Sequence, residues 1–190
     1  MSDRPTWPAV VPGFFALAWQ IVSWVADRRR KVAVCSIKRA YYLVTSPPNA
    51  RVWVHCVIRL HNSARQPGSV VSTAVSLSLS GMPQERLHVE RPSSLLTYPN
   101  PRNAETTASM RVDRAVGTRP LAADDDIVEV QPSAPLDVEV WAAASGGADH
   151  RYRPASLKVE CVDNAGHKSS VTVPAPHVAA NEVRPAPTTK

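Results

Sequence analysis

Glycine and cysteine are scarce in this chain of 190 residues, which contains seven glycines and three cysteines. Phosphate-binding loops of the Walker and dinucleotide kinds need several glycines, and neither motif occurs. There is no Cys-x-x-Cys or His-x-His pair, so a zinc site has no local scaffold. The Gly-x-Ser-x-Gly and His-Glu-x-x-His motifs are also absent. We therefore expect no enzyme activity, no cofactor and no metal site.

The overall composition is that of an ordinary globular protein rich in β-structure. Apolar residues make up 44% and charged residues 20%, and the length suits one domain with tails. The 26 valines outnumber the 11 leucines, and β-branched side chains favour strands over helices. The 18 prolines favour short, bounded strands and loops. Composition thus predicts a β domain.

Alternating hydrophobicity after residue 31 indicates strands. In residues 51–61, five apolar side chains alternate with a second set that contains His55 and His61, and residues 69–80 alternate between apolar residues and serine. Strands with one buried face and one solvent-exposed face are typical of an antiparallel sandwich. Strands are expected at residues 31–44, 51–61, 69–80, 127–130, 136–142, 156–162 and 169–173, with fainter candidates at 87–89 and 109–112.

These strands predict an all-β fold, an antiparallel two-layer β-sandwich of immunoglobulin-like or related topology. Residues 163–167 suit a hairpin turn, since Asn164 and Gly166 tolerate left-handed conformations. Residues 92–102 and 117–126 are expected to be long loops, most simply surface loops without a ligand. The predicted division is an apolar helix with a basic flank at 1–30, the sandwich at 31–174 and a disordered, proline-rich tail at 175–190.

Residues 7–26 carry no charge and are mostly apolar. A helix beginning near Pro12 would have about 14 residues, roughly 21 Å, which is short of a hydrocarbon core of about 30 Å. Membrane association, packing on the chain's own β domain or in an oligomer and, less readily, a cleaved signal peptide all remain open. The side chains expected to contact a membrane or a partner are Trp7, Phe14, Phe15, Leu17, Trp19, Ile21 and Trp24.

A basic cluster follows the apolar segment. Arg28, Arg29, Arg30 and Lys31 are expected to contact an anionic surface, and the positive-inside rule would place the β domain in the cytoplasm. Residues 40–190 carry 15 basic and 14 acidic side chains, so little of the +6 net charge lies on the body. A nucleic-acid partner is therefore unlikely on the sequence alone.

The remaining chemically versatile residues have ordinary interpretations. Alternation turns Cys56 and Cys161 inward, where a cross-sheet disulfide is conceivable but free thiols are favoured in a reducing cytoplasm. The six histidines are scattered, and each is expected to be a surface or loop residue. Residues 124–126, three aspartates, are expected to form a solvated turn, since they lack the ligand spacing of a calcium loop.

The sequence predicts a non-enzymatic protein-interaction module that an N-terminal apolar helix localises to a membrane. The alternative is a structural subunit whose helix docks into a neighbouring subunit in a cytoplasmic assembly. The expected partner is a protein or a second copy of the chain, with an anionic membrane as a further possibility. No feature identifies a small-molecule substrate.

Overall fold

The computed structural model describes residues 17–23, 25, 32–46, 50–79, 84–92, 95–100, 103–144 and 154–174. Residues 17–23 and 25 are helical, and most of the other described residues lie in strands. The strands are β1 (Val32–Val44), β2 (Val52–Asn62), β3 (Gly68–Leu79), β4 (Glu85–Val89), β5 (Leu95–Asn100), β6 (Asn103–Arg111), β7 (Arg119–Pro120), β8 (Val128–Val130), β9 (Leu136–Ala143), β10 (Pro154–Asp163) and β11 (Lys168–Pro174).

The strands form two packed layers, as the alternation predicted. One layer has the order β1-β2-β9, and the other has the order β3-β10-β11. β4 belongs to both, because its first three residues pair with β3 and its last two pair with β9. On the opposite edge the layers approach again, where the Ser169 hydroxyl accepts a hydrogen bond from the Val34 backbone N–H at 3.0 Å. The all-β, antiparallel prediction is confirmed.

The main core lies between the two layers. β2 contributes Val52, Val54, Cys56, Ile58 and Leu60, the alternate residues that the sequence predicted to point one way. In β3 the prediction is wrong at one position, since Val70 and not Val71 is buried. The cause is an irregularity in the pairing, where consecutive residues of β10 pair with Ser72 and Val70. Because of this shift, the side chains at the start of β3 point to the faces opposite to those that strict alternation predicts.

A second core lies on the outer face of the β1-β2-β9 layer. Segment 92–102 was expected to be a loop, and this is wrong, because β5 forms an antiparallel hairpin with β6. The hairpin packs Leu96, Tyr98 and Met110 against Trp53 and Trp141 of the layer. β2 is therefore buried on both faces over most of its length, and the outer face of the layer is only partly open to water.

The described helical residues do not pack into either core. Their apolar side chains are exposed, with Trp19 at 73% and Leu17 at 57% of full exposure. None of the helices in the described ranges has both the length and the apolar character needed to cross a bilayer. The expected contacts Trp7, Phe14, Phe15 and Trp24, the basic cluster Arg28, Arg29, Arg30 and Lys31, and the tail 175–190 lie outside the described residues.

Candidate functional site

The pairing register of the β1-β2-β9 layer brings residues that are distant in the sequence together in two adjacent rows. Tyr41 of β1 lies opposite His55 of β2, which in turn lies opposite Trp141 of β9. Two residues further along, Arg39, Val57 and Glu139 form the next row. Because side chains two apart share a face, both rows project outward, away from the main core. A carboxylate and an imidazole thus meet on this sheet face, between aromatic rings and beside Arg39.

Glu139 is held by hydrogen bonds from three directions. Oε1 accepts from His55 Nε2 at 3.0 Å and from the Trp141 indole N–H at 3.3 Å, while Oε2 accepts from the Ala115 backbone N–H at 3.2 Å. Burial raises the pKa of this carboxyl, but the hydrogen bonds from His55, Ala115 and Trp141 outweigh it, so its pKa is lowered. Glu139 is therefore a buried carboxylate with both oxygens in use.

His55 is enclosed by aromatic rings. Its ring centroid lies 4.8 Å from that of Tyr41 and 4.5 Å from that of Trp141, and its side chain is only 4% exposed. Nε2 bonds Glu139, whereas Nδ1 is buried with no hydrogen-bond partner among the described residues. The expectation that every histidine is a surface or loop residue is wrong for His55, since the β5–β6 hairpin and its following segment cover this face.

A pocket of about 350 Å³ opens beside this pair. Its buried lining includes His55, Glu139 and Trp141. Its exposed lining includes three arginines from separate segments: Arg39 of β1, Arg111 at the end of β6 and Arg114 of the following segment. No sequence pattern indicates this cluster, because 72 residues separate Arg39 from Arg111 and neither stands in a motif.

Next along the same sheet face, Asp137 lies between two basic side chains. Arg59 Nε approaches Oδ1 at 2.8 Å, and Lys38 Nζ approaches Oδ2 at 2.7 Å. The Arg59 hydrogen bond is the largest of the effects that lower the pKa of Asp137 to about 2; partial burial opposes it, and Lys38 adds to it. This partly exposed cluster of charged side chains forms the polar end of the sheet face.

The three cysteines are free thiols in the structure, with Cys35 exposed and Cys56 and Cys161 buried. Cys56 and Cys161 reach the main core from opposite layers, as alternation predicted. Burial, with the nearby Cys161 thiol adding to it, raises the pKa of Cys56 to about 12. Burial likewise raises the pKa of Cys161 to about 11 against the opposing hydrogen bond from Thr73. Both thiols are therefore unreactive core residues.

Two of the three aspartates at 124–126 accept hydrogen bonds from backbone N–H groups. Asp124 Oδ1 accepts from the Val89 N–H at 2.9 Å, and Asp126 Oδ2 accepts from the Ala122 N–H at 3.1 Å. This agrees with the predicted turn before β8. In the part of the chain that the structure describes, no group of three or more histidine, cysteine or acidic side chains has the arrangement of a metal site.

The site residues predicted from the sequence and the site seen in the structure are different sets. Of the predicted helix contacts, Leu17, Trp19 and Ile21 are described; all three are exposed, and none lines the pocket. One sequence signal for the real pocket did exist: Glu139 stands in the middle of β9, whose other central residues are apolar. A charged residue in a buried strand requires a partner.

No protein-family model matches this sequence. No curated protein matches it significantly either.

Proposed function

We propose that the protein is a non-enzymatic protein-interaction module, localised by its N-terminal apolar helix and associated with a membrane surface. The observation that carries this proposal is the exposure of Leu17, Trp19, Ile21 and Val22, each more than half accessible. Large apolar side chains clustered on one exposed helix are costly in water, so they favour contact with lipid or with another protein. The β domain would then lie on the cytoplasmic side, as the basic flank favours.

We also propose that the body is an immunoglobulin-like sandwich. Taken in chain order, β1, β2, β3, β4, β9, β10 and β11 can be labelled A to G. The layers then have the orders ABED and CFG, those of a constant-type immunoglobulin domain, with β5 to β8 inserted between D and E. Cys56 then stands in strand B and Cys161 in strand F, which supports the assignment further. Such sandwiches commonly present loops and edges to partners.

A binding role suits the outer-face pocket better than nucleophilic catalysis does. Glu139 and His55 have the separation of a catalytic acid–base pair, yet both are nearly inaccessible. No serine, threonine or cysteine among the described residues lines the pocket, so the pair has none of these common nucleophiles to activate there. The proposal therefore assigns this pair to holding the sheet face together.

The experiment is flotation of the full-length chain with vesicles of neutral and of anionic phospholipid. We expect the protein to float, most completely with anionic vesicles. The double variant L17E/I21E places two charges on apolar positions of the helix and should abolish flotation. The control Q20E/S23E adds the same charge at polar positions and should float nearly as well. Equal flotation of both variants would contradict the proposed role of the apolar side chains.

The same exposed side chains also support the alternative, a structural subunit whose helix docks into a neighbour. In that case the chain stays in the aqueous fraction without detergent, and its oligomer size rises with concentration. L17E/I21E would then reduce the chain to a monomer, and Q20E/S23E would not. Light scattering of both variants over a range of concentrations separates the two functions.

A further inference from the structure

Three arginine residues line one pocket, one of them from β1 and the other two from the end of β6 and the segment after it. Arg39 lies on β1, Arg111 at the end of β6 and Arg114 three residues later, and all three line the cavity of about 350 Å³. That volume lies within the range of pockets that take small ligands. Gathering like charges around a concave surface costs energy unless something opposite in charge is bound there.

The acidic side chains at the pocket do not neutralise this cluster. Asp113 pairs with Arg111 at 3.2 Å, but both side chains are well exposed and the pair is correspondingly weak. Glu139 already accepts hydrogen bonds from His55, Trp141 and the Ala115 backbone, so its oxygens are engaged. Three arginines against two carboxylates leave a net charge of +1 in the lining.

Donor groups remain available on two of the arginines. The Arg39 side chain makes no hydrogen bond or ion pair with any described residue, and its guanidinium carbon lies 6.0 Å from the centroid of the Tyr41 ring. Arg114 donates to the Thr118 carbonyl oxygen through Nε and Nη2, which fixes the group and leaves Nη1 without a hydrogen-bond partner in the described ranges. A fixed guanidinium with unused N–H groups suits a carboxylate or phosphate, whose paired oxygens match its planar geometry.

We propose that this pocket binds a small organic anion, in which a carboxylate or phosphate pairs with Arg39 and Arg114 and a flat apolar part lies against the ring of Tyr41. The aromatic part follows from the lining, because Tyr41 and Trp141 form one wall and their rings are already ordered by contact with His55. Flat apolar groups pack favourably on such rings. This inference concerns the β domain and does not rest on the proposed role of the helix.

The test is calorimetric titration of the full-length chain with four probes: phenyl phosphate, benzoate, inorganic phosphate and neutral phenol. We expect one-to-one binding of phenyl phosphate or of benzoate, and the stronger of the two identifies the oxyanion class. Inorganic phosphate and phenol should each bind at least about tenfold more weakly, since inorganic phosphate lacks the aromatic ring and phenol lacks the anionic group. Inorganic phosphate binding as tightly as phenyl phosphate would overturn the aromatic part of the proposal.

Arginine variants locate the binding. R39Q removes an exposed side chain that has no hydrogen-bond or ion-pair partner among the described residues, and it should weaken binding by about tenfold or more while leaving the circular dichroism spectrum unchanged. R39K keeps the charge but not the planar group and should fall between R39Q and the native chain. R86Q is the matched control, because Arg86 is an exposed arginine on β4, away from the pocket lining. Failure of both aromatic anions to bind, or equal affinities of R39Q and R86Q, would overturn the proposal.

Discussion

His55 and Glu139 lie 84 residues apart in the chain, yet 3.0 Å separates Nε2 of the one from Oε1 of the other. Their strands are neighbours, and the pair joins the outer face of the sandwich to the segment that follows β6, because Glu139 also accepts from the Ala115 N–H. One carboxylate therefore connects β2, β9 and the wall of the pocket. The first prediction concerns its removal.

Replacing Glu139 by alanine should lower the free energy of unfolding by about 3 kcal/mol or more, because buried donors on His55 and Trp141 and the half-buried Ala115 N–H lose their acceptor. E139Q keeps one oxygen acceptor and should cost less. The control E129A removes an exposed glutamate of β8 and should stay within about 0.5 kcal/mol of the native chain. Urea unfolding measures all three; an E139A value close to that of E129A would contradict a structural role for the pair.

Acid should destabilise the protein through Asp137. Its folded-state pKa of about 2 lies below the unfolded value of about 3.9. The stabilisation is therefore complete above the unfolded pKa and is lost as the pH falls from about 4 towards 2. The lowered pKa of Glu139 acts with the same sign. The urea midpoint should fall across this range, and D137N should flatten the fall.

The control for that measurement is D125N, which changes an exposed aspartate that has no ion pair among the described residues. It should retain the full acid dependence of the native chain. If D137N and D125N show the same pH profile, the Arg59 and Lys38 contacts contribute nothing to the acid dependence of stability.

The sequence predicted most of the sandwich because its strands alternate at period two, although β2 is buried on both faces and the alternation reverses at the start of β3. It missed β5 because Pro99 and its neighbouring prolines are typical of a loop. Pro99 is tolerated there because β5 pairs only with β6, and the register shifts directly after it. The partial closure of the outer face was missed for the same reason, since the burial of Trp53 and His55 depends on the hairpin. Predicting the pocket would have required the pairing register of three strands, and no local sequence pattern contains that register.

The β5–β6 hairpin should contribute substantially to stability through one face only. Leu96 is 5% exposed and packs in the outer core, whereas its neighbour Leu95 is 47% exposed. L96A should cost about 2–5 kcal/mol through lost contacts and the cavity left behind. L95A makes the same chemical change on the opposite face and should cost less than about 0.5 kcal/mol. Equal losses on urea unfolding would show that the hairpin does not pack on the layer as described.

The thiols should differ sharply in reactivity. Cys35 is exposed, while burial raises the pKa values of Cys56 and Cys161 to about 12 and about 11. Iodoacetamide near pH 8 should therefore add one group to the native chain and three to the denatured, unreduced chain. C35S should show none in the native state. Only one added group after denaturation without reductant would reveal a Cys56–Cys161 disulfide and overturn the free-thiol prediction.

Gly68 is required at the start of β3 because a side chain there has no room. A Cβ built on this residue would lie 2.7 Å from Cγ2 of Val32 on β1, a buried side chain that cannot move far. G68A should therefore lower the free energy of unfolding by about 1–3 kcal/mol through overpacking. V32A removes the opposing methyl groups and is destabilising itself, since it leaves a small cavity. In the V32A background, however, G68A should cost at least about 1 kcal/mol less than in the native chain. A double-mutant cycle by urea unfolding measures this coupling, and additive losses would mean that the two residues do not contact each other across the strands.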